Sequence, residues 1–332
     1  MTDIKIHFVG RKDSFRGRLA VAYANSLKVN GFVFTSSGIE AAHERIQAPD
    51  PEARELAKKS KCYDQFAKRK VQTTSALLKR QDIVIFMSKD VYDDAQKKLQ
   101  FDARKCVLWQ IDDLDTSHLR RRQAKATAAA KDWDKLARLI RLFLHELALT
   151  SWCDVYDEHN MALGYKLPVK WVDGRKGLWC RYVHAVVTTA DNKYVVERQA
   201  GARLHLSMDG AVVAGETPRQ AVQRHLQAKF GVRIRPEQAA FQNVKKYQGV
   251  VKTQDGYAYY TKYSNRFVYT YHVALTLENP IFLPGGGHGR EILLLKRRAL
   301  LRALKHPAPS MKRHLMYGRK HYAKAVKRAK TR

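Results

Sequence analysis

The sequence predicts two domains of different class, an α/β domain on a parallel sheet over residues 1–150 and an α+β domain over residues 171–295. Three observations carry that prediction. In the first half, short apolar runs alternate with helical stretches, which is the pattern of a parallel sheet covered on both faces. In the second half, strand-like runs dominate and enclose a single helix. At 332 residues the chain is long enough for two domains, each burying a core of its own. Residues 151–170 are expected to link them, and residues 296–332 to form a basic tail.

Taken in order, Ile4 to Val9 is an apolar strand and Gly10 to Gly17 a polar loop, followed by Leu19, Ala20, Ala22, Tyr23 and Leu27 at helical spacing. Phe32 to Thr35, Ile83 to Met87 and Val107 to Ile111 read as further strands. The stretches Pro51 to Lys61, Phe66 to Lys79 and Val91 to Leu99 read as the helices between them. Trp133 to Leu149 closes this half as an amphipathic helix with the stripe Trp133, Leu136, Leu139, Ile140, Phe143, Leu147. In the second half, Tyr182 to Thr189, Tyr194 to Arg198 and Phe267 to Leu277 are strand-like, with Asp191-Asn192 as a turn and Thr217 to Phe230 as the enclosed helix.

Composition is globular, with 45% hydrophobic residues, but 62 Lys and Arg against 31 Asp and Glu leave a formal charge of +31. An excess of that size raises self-repulsion in the compact state and implies a polyanionic neighbour, nucleic acid before an acidic membrane surface. Cys62, Cys106, Cys153 and Cys180 are widely spaced, with neither zinc-ligand nor disulfide-framework spacing, which suits a reducing compartment. Met1 to Gly10 lacks the apolar core of a signal peptide, and no apolar run approaches membrane-spanning length. A cytoplasmic chain is expected.

The stretch FVGRKDSFRGRLAVAY, followed by TSSGIEA (Thr35 to Ala41), DIVIFMSKDV (Asp82 to Val91) and WQIDDLD (Trp109 to Asp115), resembles the low-molecular-weight protein tyrosine phosphatase and arsenate reductase family. That family opens on a strand, a loop with Cys and Arg separated by five residues, and a helix. The resemblance places the loop arginine on Arg16, the nucleophile's position on Gly10 and the general acid on Asp113. A phosphatase of this kind attacks phosphorus with a thiolate, and Gly10 supplies none. Ser14 lies in the loop with nothing nearby in sequence to act as its base. Two roles remain for the loop: an anion site formed by Ser14, Arg16 and the amides of a helix N-terminus, or a scaffold in which Arg16 only pairs locally.

A second motif, MDGAVVAGETPRQAVQRHLQAKFGV (Met208 to Val232), resembles the Nudix box, and its LSMDGAVVAGE wording resembles the isopentenyl-diphosphate-isomerase-like branch. Gly210, Glu216, Arg224, Leu226, Gly231 and Val232 match at fixed spacing, and Pro218 suits the first turn of a helix. The resemblance makes the second domain an α+β Nudix-like fold. A Nudix hydrolase holds Mg²⁺ on glutamates of one helical face, but the matching positions here are His225, Ala228 and Lys229. Glu216 survives either as a metal ligand or as the partner of Arg224. Mg²⁺ is implied only if the domain is an active hydrolase that recruits carboxylates outside the box, such as Glu197, Glu237 or Glu278.

GYAYYTKY (Gly256 to Tyr263) and KYSNRFVYTYHVAL (Lys262 to Leu275) mix tyrosine with cations, a chemistry suited to a nucleobase and a diphosphate, whereas Phe267, Tyr269 and Tyr271 alternate as core residues would. The tail holds fourteen Lys or Arg and no acid, and Lys296, Arg297, Arg298, Arg319, Lys320, Lys327 and Arg328 are its candidate nucleic-acid contacts. The combined reading is a catalytically degenerate protein that binds a nucleotide or other phosphate ligand at Ser14, Arg16, Gly210, Glu216 and Arg224, with a surface facing RNA or DNA. Its rivals are an active metal-dependent Nudix hydrolase and a structural RNA-associated subunit. With Gly10 at the nucleophile's position, the purified protein should not hydrolyse aryl phosphates, and Cys62→Ser and Cys106→Ser should change nothing. Thiol-sensitive turnover of p-nitrophenyl phosphate would show that the loop is misplaced.

Overall fold

The computed structural model describes residues 3–13, 15–41, 50–66, 69–111, 122–198, 204–205, 207–255, 258–276, 291–296 and 298–300. The chain divides into two compact units, residues 1–155 with 162–171 and residues 156–161 with 172–332. Among the described residues no helix is long and apolar enough to cross a membrane.

Unit 1 is an α/β unit on a four-stranded parallel sheet. Its strands are β1 (Ile4–Gly10), β2 (Phe32–Gly38), β3 (Ile83–Phe86) and β4 (Cys106–Leu108), in the order β2-β1-β3-β4. Every residue of β3 is buried, as a strand covered on both faces requires. Its helices are α1 (Arg16–Ser26), α2 (Pro51–Lys59), α3 (Ser75–Lys79), α4 (Lys89–Lys98) and α5 (Arg122–Ala148). Val9, Val84 and Phe86 meet Leu78 of α3 and Val91 and Ala95 of α4 on one face. On the other face Phe8 packs on Trp109 and Trp109 on Phe143 of α5, each at 5.6 Å, while Tyr23 of α1 meets Trp133 at 5.0 Å. Gly10 and Gly38 end their strands in register, so the loop into α1 leaves from the carboxyl edge of the sheet, where open α/β folds place their ligands.

Two expectations for this unit are corrected. The helix expected over Phe66 to Lys79 is confined to Ser75–Lys79. Before it, the Gly38 amide donates to Val71 O and the Thr73 amide to Gly38 O, so the β-branched run Val71, Thr73, Thr74 serves the sheet edge and Thr74 caps the short helix. Residues 151–170, expected as a linker, hold paired strands β5 (Trp152–Tyr156) and β6 (Ala162–Pro168) and the start of the short α6 (Val169–Val172). Trp152, Cys153, Val155, Tyr165 and Leu167 are buried there, the Lys166 amide donates to Asp82 Oδ1 at 2.8 Å, and the Tyr165 hydroxyl donates to Asp102 Oδ2 at 2.8 Å.

Unit 2 is α+β. Its seven-stranded sheet follows the order β11-β12-β7-β8-β13, with β10 on β7 and β9 on β8. The strands are β7 (Cys180–Thr188), β8 (Tyr194–Arg198), β9 (Leu204–His205), β10 (Ser207–Ala211), β11 (Ala239–Asp255), β12 (Ala258–Ala274) and β13 (Glu291–Leu295). The helix α7 (Pro218–Phe230) lays Ala221, Val222, Leu226 and Phe230 on Val183, Ala185, Val195, Met208, Tyr271 and Val273. Leu300, the first residue of the expected tail to bear on the fold, is fully buried with Val186, Tyr194 and Val196. The tail therefore begins as part of the core. Residues 297 and 301–332, with Arg297, Arg319, Lys320, Lys327 and Arg328, lie outside the described residues.

Inside β1 the wholly buried His7 is locked between hydroxyls, with Nδ1 2.6 Å from Thr35 Oγ1 and Nε2 2.7 Å from Ser37 Oγ. Burial pushes its pKa down from 6.5 to about 4. The unfolded chain therefore binds the proton first as pH falls, and stability is lost between about 6.5 and 4. The loss from this one group amounts to about 3 kcal/mol once pH is below both values. Urea midpoints of the native chain should fall from pH 7.5 to pH 5, and His7→Gln should flatten that dependence. An equal slope in the variant would remove His7 as its source.

Candidate functional site

The polar side chains of unit 2 that bear on chemistry gather where α7 crosses β8 and β10. Helix α7 starts where the sequence marks it: Thr217 accepts from the Gln220 amide, the Gln220 side chain accepts from the Thr217 amide, and Pro218 opens the first turn. It ends at Gly231, whose φ of 66° is the left-handed conformation glycine adopts without strain. Just before it, Glu216 takes Arg224 in a two-pronged pair, Nε to Oε1 and Nη2 to Oε2, both at 2.9 Å. Oε2 also accepts from the Val213 amide, and Arg224 Nη2 reaches Ala211 O. Glu216 is thus the partner of Arg224, with both oxygens engaged.

His225 and Lys229 lie one helical turn apart. The His225 imidazole packs against Gly210, where an added Cβ would come within 2.1 Å of the ring, and Nε2 lies 3.0 Å from Ala211 O. Gly210 is glycine for this close approach. Burial lowers the His225 pKa. Lys229 Nζ stands 2.6 Å from Glu197 Oε2 of β8, and the Glu197 side chain is only 4% exposed. Ala228 is exposed and offers no ligand. Of the carboxylates considered outside the box, Glu197 is paired with a cation, Glu237 is exposed on a short turn after α7, and Glu278 lies outside the described residues. Among the described residues no three His, Cys, Asp or Glu side chains gather closely enough to hold a metal ion.

In unit 1 the loop after β1 is closed by the end of β2. The Ile39 amide donates to Gly10 O and the Glu40 amide to Arg11 O. A Cβ on Gly38 would meet Asp13 N at 2.6 Å and Arg11 O at 2.8 Å, so only glycine lets the two segments touch. Arg11 is held by Asp90, Asp94 and Glu40 at 2.5, 3.0 and 2.8 Å. Arg16, first residue of α1, is buried with 5% exposure. Gly10 has nothing within 4 Å of an added Cβ, so a side chain there would meet open space. Ser14 and Asp113 lie outside the described residues.

Asp13 was not legible as a site residue. It is 3% exposed at a positive φ of 50°, Oδ2 accepts from the Val71 amide at 3.1 Å, and the carboxylate hydrogen-bonds Ser36 near Arg18 and Lys70. Burial raises its pKa. Its Oδ1 lies 3.4 Å from where a Cβ of Gly17 would stand, at the first turn of α1. A lone Asp among Arg11, Lys12, Arg16 and Arg18 is the signal that would have found it.

No protein-family model and no curated protein matches the chain. The N-terminal part, 41–44% of the chain, is similar in solved structures to low-molecular-weight protein tyrosine phosphatases. One is Wzb of Vibrio vulnificus in complex with benzylphosphonate, at 24% identity over 41% of this chain and 96% of that one, TM-score 0.35. Another is the enzyme of T. tengcongensis, at 19% identity over 43% and 99%, TM-score 0.37. The Bacillus subtilis phosphatase matches at 17% identity over 43% and 97%, TM-score 0.36.

Breaking the Lys229–Glu197 pair from one side should be costly, because it strands a buried carboxylate. Lys229→Met should destabilise unit 2 by roughly 3 kcal/mol, and adding Glu197→Leu should recover most of that. A single variant as stable as the native chain, by urea denaturation, would mean the pair does not hold the helix.

Proposed function

We propose that the chain is a non-catalytic protein that binds a phosphate-bearing ligand, a nucleotide or a related anion, in the cytoplasm. On this reading unit 2 is a Nudix-type domain in which an ammonium has taken the metal's place, and unit 1 is a phosphatase-type domain without its nucleophile. The observation that carries it is the ammonium of Lys229 at 2.6 Å from Glu197, at a position where a hydrolase needs a carboxylate turned to a cation. His225 against Gly210 and the Arg224 clamp on Glu216 support the same reading, since neither side chain is left to hold Mg²⁺. Four free cysteines suit a reducing compartment. In unit 1, buried Arg16 opens α1 and supports an anion there, with Asp13 as its competitor.

A thermal-shift screen over nucleotides, ADP-ribose, isoprenoid diphosphates and phosphotyrosine tests it, with and without Mg²⁺. A metal-independent shift is expected, with no product formed. Asp13→Asn should strengthen any response to sulfate. Hydrolysis with Mg²⁺ that Glu216→Gln abolishes would replace this reading with the active hydrolase. His225→Glu, Ala228→Glu and Lys229→Glu together should raise Mg²⁺ affinity.

The tail is part of the proposal as a nucleic-acid contact. Because Leu300 is core, the cut belongs after it: removing residues 301–332 deletes eleven cations and lowers the formal charge from +31 to +20. The slope of log affinity against log salt should become shallower by about 0.7–0.9 for each phosphate that the shortened chain no longer neutralises, with base preference unchanged. An unchanged slope would exclude the tail.

A further inference from the structure

Strand β11 bounds one side of the seven-stranded sheet, with β12 on its inner edge and no strand on its outer edge among the described residues. Its partner β12 pairs with β7 only over Arg266–Ala274, so the strand expected over Phe267 to Leu277 is the inner half of a longer one. At about 3.3 Å per residue, the outer edge of β11 from Ala239 to Gly249 is roughly 33 Å long. Along it every other residue turns its N–H and C=O outward, an open template for one more strand.

The side chains on this edge are unusual for solvent. Phe241, Val244 and Tyr247 are 50%, 41% and 49% exposed, three of the twelve large apolar side chains exposed among the described residues, and they crowd into seven positions. The register divides them between the two faces. Phe241, Val244 and Lys246 stand opposite Tyr271, Tyr269 and Phe267, and Tyr271 belongs to the core that α7 covers. Lys245 and Tyr247 stand opposite Val268 and Arg266, and Arg266 stacks on Tyr182 at 4.1 Å. A bulge between Phe241 and Asn243 puts Phe241 on the face of Val244, three positions away. Each face thus carries an apolar side chain beside a lysine, Val244 with Lys246 and Tyr247 with Lys245. From Ala239 to Gly249 there are two lysines and no acid.

That two-faced arrangement selects the partner. A lipid surface or a row of stacked bases engages one face, whereas an added strand meets both and uses the open backbone between them. The two lysines call for acids on that strand. A second copy of this chain brings the same lysines and the same +31 surplus, so self-pairing is repelled.

We propose that the outer edge of β11 receives an extended acidic segment of a partner protein, which pairs there as an added strand. Side chains of that segment alternate between the faces as those of β11 do. Two adjacent acids therefore lie opposite Lys245 and Lys246, and apolar residues on either side of them lie opposite Val244 and Tyr247. The pattern of apolar, acid, acid, apolar reads the same in either chain direction. The inference goes beyond the reading above, since it requires neither phosphate centre nor the tail.

The test is fluorescence anisotropy of the full chain with a short labelled peptide in which two adjacent glutamates are flanked by isoleucines. Its controls are a peptide of the same composition in scrambled order and one whose core amides are N-methylated. The peptide should bind about tenfold tighter than either control, because order places its side chains and free amides complete the ladder. Lys245→Glu with Lys246→Glu should weaken it by about tenfold, and that variant should instead bind a peptide with lysines in place of the glutamates. The gained partner shows that the charge-reversed chain is folded. Phe241→Ser with Val244→Ser should weaken the original peptide without reversing its charge preference. Absence of binding, or controls that bind as tightly as the peptide, would overturn the proposal. So would a dimer at sedimentation equilibrium that the charge reversal dissolves, which would seat a second copy on the edge. Oligouridine that binds more tightly than the peptide and is lost in the same variant would seat a nucleic acid there instead. Nucleotide-induced thermal shifts and the effect of removing residues 301–332 report on the earlier reading and are independent of all these outcomes.

Discussion

Unit 2 depends on how α7 is fastened across β8 and β10. An apolar stripe of Ala221, Val222, Leu226 and Phe230 supplies burial, but burial alone is non-directional and does not fix register. Direction comes from three polar anchors on the flank of that stripe. Arg224 ties the helix to Glu216 and Ala211 O, His225 seats on Gly210, and Lys229 reaches Glu197. Arg224 and His225 both meet Ala211 O at the end of β10 and Lys229 meets a side chain of β8, so the helix can neither slide nor roll without breaking one of them. The polar face of α7 is therefore turned to holding the sheet.

Unit 1 shows a related constraint at its loop. Gly38 lets the end of β2 lie against residues 11–13, and this close approach shapes the turn into α1. Asp13 adds a carboxylate close to the helix's first turn, where positive partial charge accumulates. Gly10 is different: an added Cβ would touch nothing, so the position has room for a side chain.

Sequence pattern revealed the elements wherever one physical signal dominated. The four buried residues of β3, the capped start of α7 and its glycine stop are local features, and each lies where periodicity and turn chemistry put it. The pairing of Glu216 with Arg224 was one of two readings left open, and two-pronged geometry decides it. Phe267 and Tyr271 are core as their alternation implied, while Tyr269 is half-buried and accepts from Asn160 Nδ2. What stayed hidden needed partners distant in sequence. Lys229 meets Glu197 across 32 positions, and Val71 meets Asp13 across 58. The strands in 151–170 were missed because a short hairpin with Asp and Asn at its turn reads as a linker until its apolar residues have something to pack against.

Nine acids among the described residues are tied into the fold. Asp50 caps α2, Asp82 and Asp102 hold β6, and Glu40, Asp90 and Asp94 surround Arg11. Asp173 binds Arg266, Glu197 binds Lys229 and Glu216 binds Arg224. With 31 acids against 62 cations, the local pairing that stabilises each unit cannot neutralise the whole. The surplus cations repel one another and lower the stability of the compact state, more so at low salt. Dissolved counterions screen such a surplus, and a polyanion bound as proposed above would neutralise it directly. Under that proposal salt would compete with the polyanion, so folding stability should rise with ionic strength while binding falls.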